Sequence, residues 1–487
     1  MKKRIVFFEL FLVFIFIIFG CSEQNEMPKP DIDNNLSTSE RLNKFIVNVV
    51  EEVYLWESET DWRRYNNNAF SSYTDHSLLF GELKYKDDHW SLLTDDINGL
   101  EDQFGGVSTT FGYLLSLYML PDRNVIAVIL FTSPGSPAEK AGLKRGDIII
   151  EINGGNITER NYLELYYASS LVLRCGVLNT EAKIFEPLSE TKSLTAVNMY
   201  EDPINAYKVI EKEGHKIGYL CYSGYQMESE KELVRIFKGF KSEGVTDVVL
   251  DLRYNPGGYS RTALILSSIL APEYVVKNKG VYLEHMYNDL LTAYYKESGD
   301  DLKEYFVDTL SVNMNLDHLY VLTSENTASA SEATIVGLDP YLDLVRIGGT
   351  TSGKYCGGVL LSPKDAYGTE NRNYYMDFSN WGMYIMIYRF FNINGISSFT
   401  GGLTPDITAE EDEFDLKPFG DEDDPLLGRA IARILGKDYA ESRSGKISLP
   451  VTQLPDIKRP ADGLMISAPS SLPLFFRSRS AGSFINQ

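Results

Sequence analysis

The sequence is short of the residues that build metal and redox centres. Its 487 positions hold four cysteines and five histidines. No two cysteines form a CxxC pair, and none sits in a Cys/His cluster, which excludes the usual zinc spacings. No metal site and no cofactor are expected. Cys21 has its own explanation below. Cys175, Cys221 and Cys356 are then an odd set, so no disulfide framework is implied, although one pair among them stays open. Positive charge is also scarce. Lys and Arg number 46 against 68 Asp and Glu, a formal net charge of −22. Nucleic acid is therefore excluded as a partner, because phosphate binding needs a basic surface. Electrostatic docking on anionic lipid is disfavoured for the same reason, and the acidity reads as solubility. What is present is ordinary globular material. The chain is 44% hydrophobic and 23% charged, enough to bury a sizeable core, and its length suits roughly two to four domains.

The first residues read as an address. Lys2, Lys3 and Arg4 precede the almost wholly apolar run Ile5 to Phe19, interrupted by Glu9, and Gly20-Cys21 follows. These are the parts of a secretory signal. The Ile18-Phe19-Gly20-Cys21 ending resembles a bacterial lipobox. That resemblance implies cleavage before Cys21, a lipid on its sulfur and a chain anchored in the bacterial cell envelope. Residues 22–38, with Pro28 and Pro30, read as a flexible tether.

The mature chain divides by pattern. In 39–104 apolar residues recur at helical spacing, most clearly from Ser39 to Trp56 with Thr38 or Ser39 as cap, and again up to Leu83. In 105–200 short β-like runs alternate with turns: Val125–Leu130, then Pro134-Gly-Ser-Pro-Ala-Glu-Lys-Ala-Gly142, Leu143-Lys-Arg-Gly-Asp147, Ile148–Asn153 and Gly154-Gly155. From 205 to 440 strands alternate with helices: 217–222, 228–243, 248–252, 319–323 and onward from Ser331. The expected fold is thus α/β plus a β-rich domain, behind a small helical N-terminal region. Residues 412–424 read as an acidic solvated loop. Residues 441–487, rich in Ser, Pro and Arg and without periodicity, read as a disordered or loosely packed tail.

Two segments carry chemistry. Asp251-Leu-Arg-Tyr-Asn-Pro-Gly-Gly-Tyr259 follows a buried strand. Glycines there let backbone N–H groups face a site unobstructed, as an oxyanion hole requires. Thr323-Ser-Glu-Asn-Thr-Ala-Ser-Ala-Ser-Glu332 also runs from strand to helix. Small neighbours leave the Ser329 hydroxyl approachable, and a helix starting there supplies free N–H groups and the positive end of its dipole. Each segment alone would read as a turn or a helix cap.

Together they resemble the tail-specific, or C-terminal processing, proteases of the S41 type. Ser329 matches that family's nucleophile. Lys354, in Gly349-Thr-Thr-Ser-Gly-Lys354, matches its base, twenty-five positions on. The order strand, GSPA helix, AGLKRGD, strand and Asn-Gly is similar to the PDZ domains of bacterial proteases, and Gly402-Leu-Thr-Pro-Asp406 is similar to a late family element. The resemblance implies an α/β core of the ClpP/crotonase kind and an oxyanion hole from Gly257 or Gly258 with Ala330. It implies a peptide-reading strand at Gly112, Tyr113, Leu114 and Leu115, and a protein or peptide substrate with an apolar C-terminus. A serine hydroxyl needs a base, and lysine serves only when neutral, so Lys354 must be desolvated. One departure stands out: the family often has a glutamine four residues after the lysine, and here that position is Gly358. Ser331 and Glu332 are candidate helpers. His89 is the histidine to watch, and Cys356 has no evident role. Two rival readings follow. One is an inactive PDZ-containing lipoprotein that only binds peptides. The other is an ATP site at Gly348–Lys354, disfavoured because Tyr355 stands where a phosphate loop needs Ser or Thr.

Overall fold

The computed structural model describes residues 32–65, 72–397, 399–439 and 449–467. The expected signal segment and Cys21 lie outside the described residues. Helix α1 (Thr38–Val53) is set by a reciprocal cap. Ser37 Oγ accepts from the Glu40 amide, and the Glu40 carboxylate accepts from the Ser37 amide. The cap is thus Ser37, one residue before the expected Thr38. Ser37 wins because Glu40 falls three residues later, which completes the box. Its apolar stripe, including Phe45, Ile46, Val49 and Val50, is buried. Helix α2 (His76–Leu83), strand β1 (Leu92–Thr94) and helix α3 (Ile97–Phe104) complete this region.

A β-rich unit follows. Its strands are β2 (Val107–Thr110), β3 (Tyr113–Met119), β4 (Asn124–Thr132), β5 (Ile148–Ile152), β6 (Gly155–Thr158), β7 (Ser170–Asn179), β8 (Ile184–Thr195) and β9 (Val197–Tyr200). Short helices α4 (Pro137–Lys140) and α5 (Glu164–Tyr167) sit between strands. Ser136 caps α4 and Pro137 occupies its first turn, where a missing N–H costs nothing. The unit has its own core, with Leu117, Val125, Ala127, Ile149 and Leu173 among its buried members.

The remaining strands are β10 (Ile204–Lys212), β11 (His215–Tyr222), β12 (Asp247–Asp251), β13 (Gly258–Tyr259), β14 (Val281–Tyr287), β15 (Lys303–Tyr305), β16 (His318–Thr323), β17 (Asp343–Gly348), β18 (Cys356–Leu361), β19 (Gly382–Phe391), β20 (Ile407–Thr408), β21 (Thr452–Gln453) and β22 (Met465–Ser467). They interleave with α6 (Glu230–Glu243), α7 (Ser260–Leu270) and, after β16, α8 (Ala330–Leu338). One sheet runs β10-β11-β12-β16-β17-β20, parallel from β11 onward. Both its faces are covered, as a parallel sheet requires. Val249 and Leu322 pack toward the helix Pro425–Ile434, while Val248 and Leu250 join the large core that includes α6, α7 and α8. A second sheet runs β13-β22-β18-β19-β14-β15 and closes that core from the other side. The outcome is an α/β core with a β-rich companion.

Within the tail, the described residues 449–467 are packed rather than loose. β21 pairs with β3 of the β-rich unit, and β22 inserts between β13 and β18. Leu464, Met465 and Ile466 are buried. Three apolar residues inside a Ser/Pro-rich stretch are too short a run for periodicity to register.

The β-rich unit and the core are tied by buried charge. Arg145, from the Lys-Arg-Gly-Asp turn, pairs with Glu411 and also donates to Leu130 O and Lys417 O. Glu411 pairs as well with Arg253, and Arg253 continues to Asp251 and Asp424. Arg253 is only 1% exposed. Three carboxylates around one buried guanidinium satisfy it fully.

Candidate active site

Neighbouring parallel strands β12 and β16 end level with each other, Asp251 opposite Leu322. The two segments leaving their carboxyl ends therefore meet, where open α/β sheets generally hold ligands. They are stitched together by hydrogen bonds: Ala328 N–H to Asn255 O at 3.1 Å, Ser331 Oγ to Asn255 O at 3.0 Å and Thr327 Oγ1 to Leu252 O at 2.8 Å. Ser331 thus serves as a splice between the segments.

Ser329 stands at the start of α8 with φ 63° and ψ −111°. A non-glycine residue in that region is strained, and such strain collects at functional positions. Its Oγ is buried and makes no hydrogen bond to the described residues. Gly257 lies against it. A Cβ on Gly257 would stand 2.8 Å from Ser329 Cβ and 3.1 Å from Ala330 N, and its φ is 113°. Only glycine fits there. Its own N–H donates to Asn255 Oδ1 at 2.9 Å. The Gly258 N–H donates to Leu464 O at 3.1 Å. The Ala330 N–H is the first of α8 and has no intrahelical acceptor.

Lys354 follows β17, where the chain turns into β18. No helix follows the Gly349–Lys354 stretch, so it offers no helix end to cradle phosphate. Glu332 carries this turn. Its Oε2 accepts from both the Ser329 and the Lys354 amides at 2.8 Å, and its Oε1 accepts from Thr351 Oγ1 at 2.6 Å and the Gly353 amide at 2.7 Å. One buried carboxylate so fixes both backbones. Burial pushes its pKa up, and the four donors oppose that. The late Gly402–Asp406 element braces the same loop. Leu403 donates to Thr351 Oγ1 at 2.7 Å, and Asp406 pairs with Arg346 on β17.

The Lys354 ammonium is enclosed. Its Nζ lies 6.0 Å from the Trp90 ring centroid and 5.3 Å from that of Tyr384. Burial lowers its pKa to about 8, offset in part by Cys356, Asp88 and Glu332. Its hydrogen bond goes to Tyr384 Oη at 3.2 Å, and Tyr384 in turn donates to Met465 O at 2.6 Å. Tyr384 is a residue that sequence reasoning missed. It stands where a side chain at 358 would project: a Cβ on Gly358 would be 2.7 Å from the tyrosine ring and 2.6 Å from Met386 Cε. The glycine and the tyrosine are one arrangement. Cys356 packs by Met386, with its thiol pushed up to about 12 by burial. Together with Cys175 and Cys221 it is free and buried, so no pair forms among them. His89 is exposed and packs edge-on to Trp90 at 6.0 Å.

Among the proposed peptide-reading residues, Tyr113 and Leu114 line a cavity of about 370 Å³. Leu115 is buried in the core of the β-rich unit. Gly112 has φ 77°, and its N–H goes to Thr110 Oγ1 at 2.9 Å. Among the described residues no acidic, His or Cys cluster could hold a metal ion.

Residues 216–409 match the family described as peptidase family S41, and 132–167 match the PDZ domain. The chain carries an S41 peptidase domain. That domain spans the Gly257 loop, Ser329 and Lys354. A protein described as "Probable CtpA-like serine protease" from Staphylococcus aureus (strain N315) is 30% identical over 339 residues, 69% of this chain and 61% of that protein. The "Carboxy-terminal processing protease CtpB" of Bacillus subtilis (strain 168) is 27% identical over 259 residues, covering 53% of this chain and 48% of its own. The chain thus spans about three fifths or less of the length of these curated relatives. A solved S41 protease structure from Bacteroides fragilis NCTC 9343 superposes with TM-score 0.66 at 25% identity, covering 80% of this chain and 97% of that one. The S41 domain and its PDZ companion therefore lie within an architecture seen before.

Proposed function

We propose that this chain is a serine endopeptidase that cuts exported proteins or peptides with a Ser329–Lys354 dyad. The observation that carries the reading is the Glu332 carboxylate, which holds the backbones of both residues while Lys354 is desolvated to a pKa of about 8. Neutral Lys354 takes the proton as Ser329 Oγ adds to the scissile carbonyl. The tetrahedral oxyanion is met by the backbone N–H groups of Ala330 and of Gly257 or Gly258, and whichever glycine serves must first exchange its present acceptor. The lysine then returns the proton to the leaving amine, leaving an acyl-enzyme. Water, deprotonated by the same amine, releases the product and restores Ser329.

The PDZ domain selects substrates by strand addition along β3, with an apolar C-terminal residue entering the cavity beside Tyr113 and Leu114. A lipid on Cys21 anchors the protein to the bacterial cell envelope, and mass analysis of detergent-extracted protein checks this against Cys21→Ser. Among the described residues no helix is long and apolar enough to cross a membrane.

The deciding experiment uses Ser329→Ala and Lys354→Arg with a peptide library. Each should remove nearly all cleavage while the melting curve keeps its cooperativity. Arginine keeps charge and rough size but cannot accept a proton. Near-normal turnover in Lys354→Arg would remove 354 as the base.

A further inference from the structure

The C-terminal segment follows a path that a ligand would follow. β21 runs antiparallel to β3, with Thr452 opposite Met119 and Gln453 opposite Tyr118. The next amide, Leu454, donates to Leu117 O at 2.8 Å, and Gln453 Nε2 reaches Ser116 Oγ at 3.3 Å. The segment therefore advances along β3 toward Tyr113, with its C-terminal direction pointing at the Phe111–Leu114 loop. A peptide added to β3 with its end at that loop would have the same edge and the same polarity. Leu454 and Ile457 rest on the core of the PDZ unit. Ile457, Arg459 and Pro460 then wall the cavity beside Tyr113 and Leu114, and Arg459 is pinned to Glu201 at 2.5 Å.

The same segment ends in the catalytic sheet. Leu464 O accepts the Gly258 N–H, and Met465 O accepts from Tyr384, which holds Lys354. Ser329 is 0% exposed and Lys354 1%. The site is closed, and β22 lies between the strand that leaves the glycine loop and the strand that follows the lysine.

We infer that residues 451–467 are a resident ligand of this protein's own PDZ groove, and that an incoming peptide must displace them from β3 before it can be read. The inference rests on the proposed reading of β3 as the peptide-pairing edge. It adds an occupant and a consequence. Free peptides compete with a tethered one, and the chain released from β3 runs on to β22, where Leu464 O holds the Gly258 N–H and Met465 O holds Tyr384. Resting protein is therefore slow to accept substrate, and peptides with the right end open it.

The test uses the full chain with Ser329→Ala, so that nothing is cut. The probe is a fluorescein-labelled peptide ending in Leu-Ala-Ala, followed by anisotropy. Leu454→Asp with Ile457→Asp unseats the segment at two half-buried positions, and thermal melting checks that the fold persists. The unseated protein should bind the probe at least ~10-fold tighter than its parent. An untethered peptide of residues 450–460 should then compete with the probe. Equal or weaker binding in the unseated protein overturns the inference. A second measurement needs no tail substitution: saturating probe should speed amide hydrogen exchange at Leu454, and unchanged exchange with the probe bound overturns it too. Failure of the probe to bind either protein removes both the inference and the groove reading. Cleavage by the unaltered protein beside Ser329→Ala and Lys354→Arg, measured separately, decides the dyad.

Discussion

The amides of Ser329 and Lys354 donate to one and the same oxygen of Glu332. The proposed nucleophile and base come from different turns twenty-five positions apart, and this atom ties their backbones together. Glu332→Gln puts an NH₂ group against two N–H or O–H donors whichever way the amide is turned. We expect kcat to fall at least ~100-fold, since small misplacements at a reacting centre cost that much, with peptide affinity nearly unchanged. Steady-state kinetics beside anisotropy on the same variant checks this.

The pH dependence follows from Lys354. Its pKa is lowered to about 8 by burial, and in the proposed dyad the neutral amine is the working form. Cleavage should rise as pH passes through about 8 and level off above. The stability term has the same sign. The unfolded chain holds this proton up to the ordinary lysine value of 10.5, so stability grows with pH between the two values. Lys354→Met should then abolish cleavage and raise Tm at pH 7 by a few degrees, read by calorimetry.

Tyr384 is expected to act as a positioning residue. Tyr384→Phe keeps the ring and removes the acceptor for Lys354 Nζ. The prediction is a ~10- to 100-fold loss in kcat at little change in KM. The acid limb should move to lower pH, because the protonated amine loses a hydrogen bond. Gly358→Gln alone should destabilise the protein by about 1–3 kcal/mol through overpacking against Tyr384 and Met386. Unchanged stability in that variant would show that the ring does not fill the space.

Arg253 predicts a stability effect. Replacing it by Met leaves Asp251, Asp424 and Glu411 without their shared cation. A loss of roughly 3–5 kcal/mol is expected, measured by urea denaturation. Asp424→Asn, which leaves Asp251 and Glu411 on the buried guanidinium, should cost less.

The strand-to-helix turn at Ser329 was legible because its residues are unusual: small neighbours, a serine and then a helix. The lysine loop was picked out by its resemblance to the family's GK-containing loop, and the structure adds that Gly353 there has φ 94°. Glu332 was noted only as a candidate, since nothing in one sequence shows that four donors converge on it. Tyr384 was hidden inside Gly382–Phe391, a run so apolar that it reads simply as a buried strand. Its role depends on which residue faces it across β18, a register that two-residue periodicity does not reveal. The packing of residues 449–467 was not legible from composition, because β21 and β22 are two and three residues long and draw their order from partners far away in the chain.

The Arg145–Glu411–Arg253 chain of charges bears on any attempt to reduce this protein to a minimal enzyme. Excising the β-rich unit would strip Glu411 of one of its two guanidinium partners and bare the Tyr254 ring beneath Arg145. A shortened chain would thus carry a damaged surface next to its glycine loop. Lost activity in it would say nothing about substrate choice. Substitutions within the groove, leaving Arg145 in place, are the cleaner way to separate recognition from architecture.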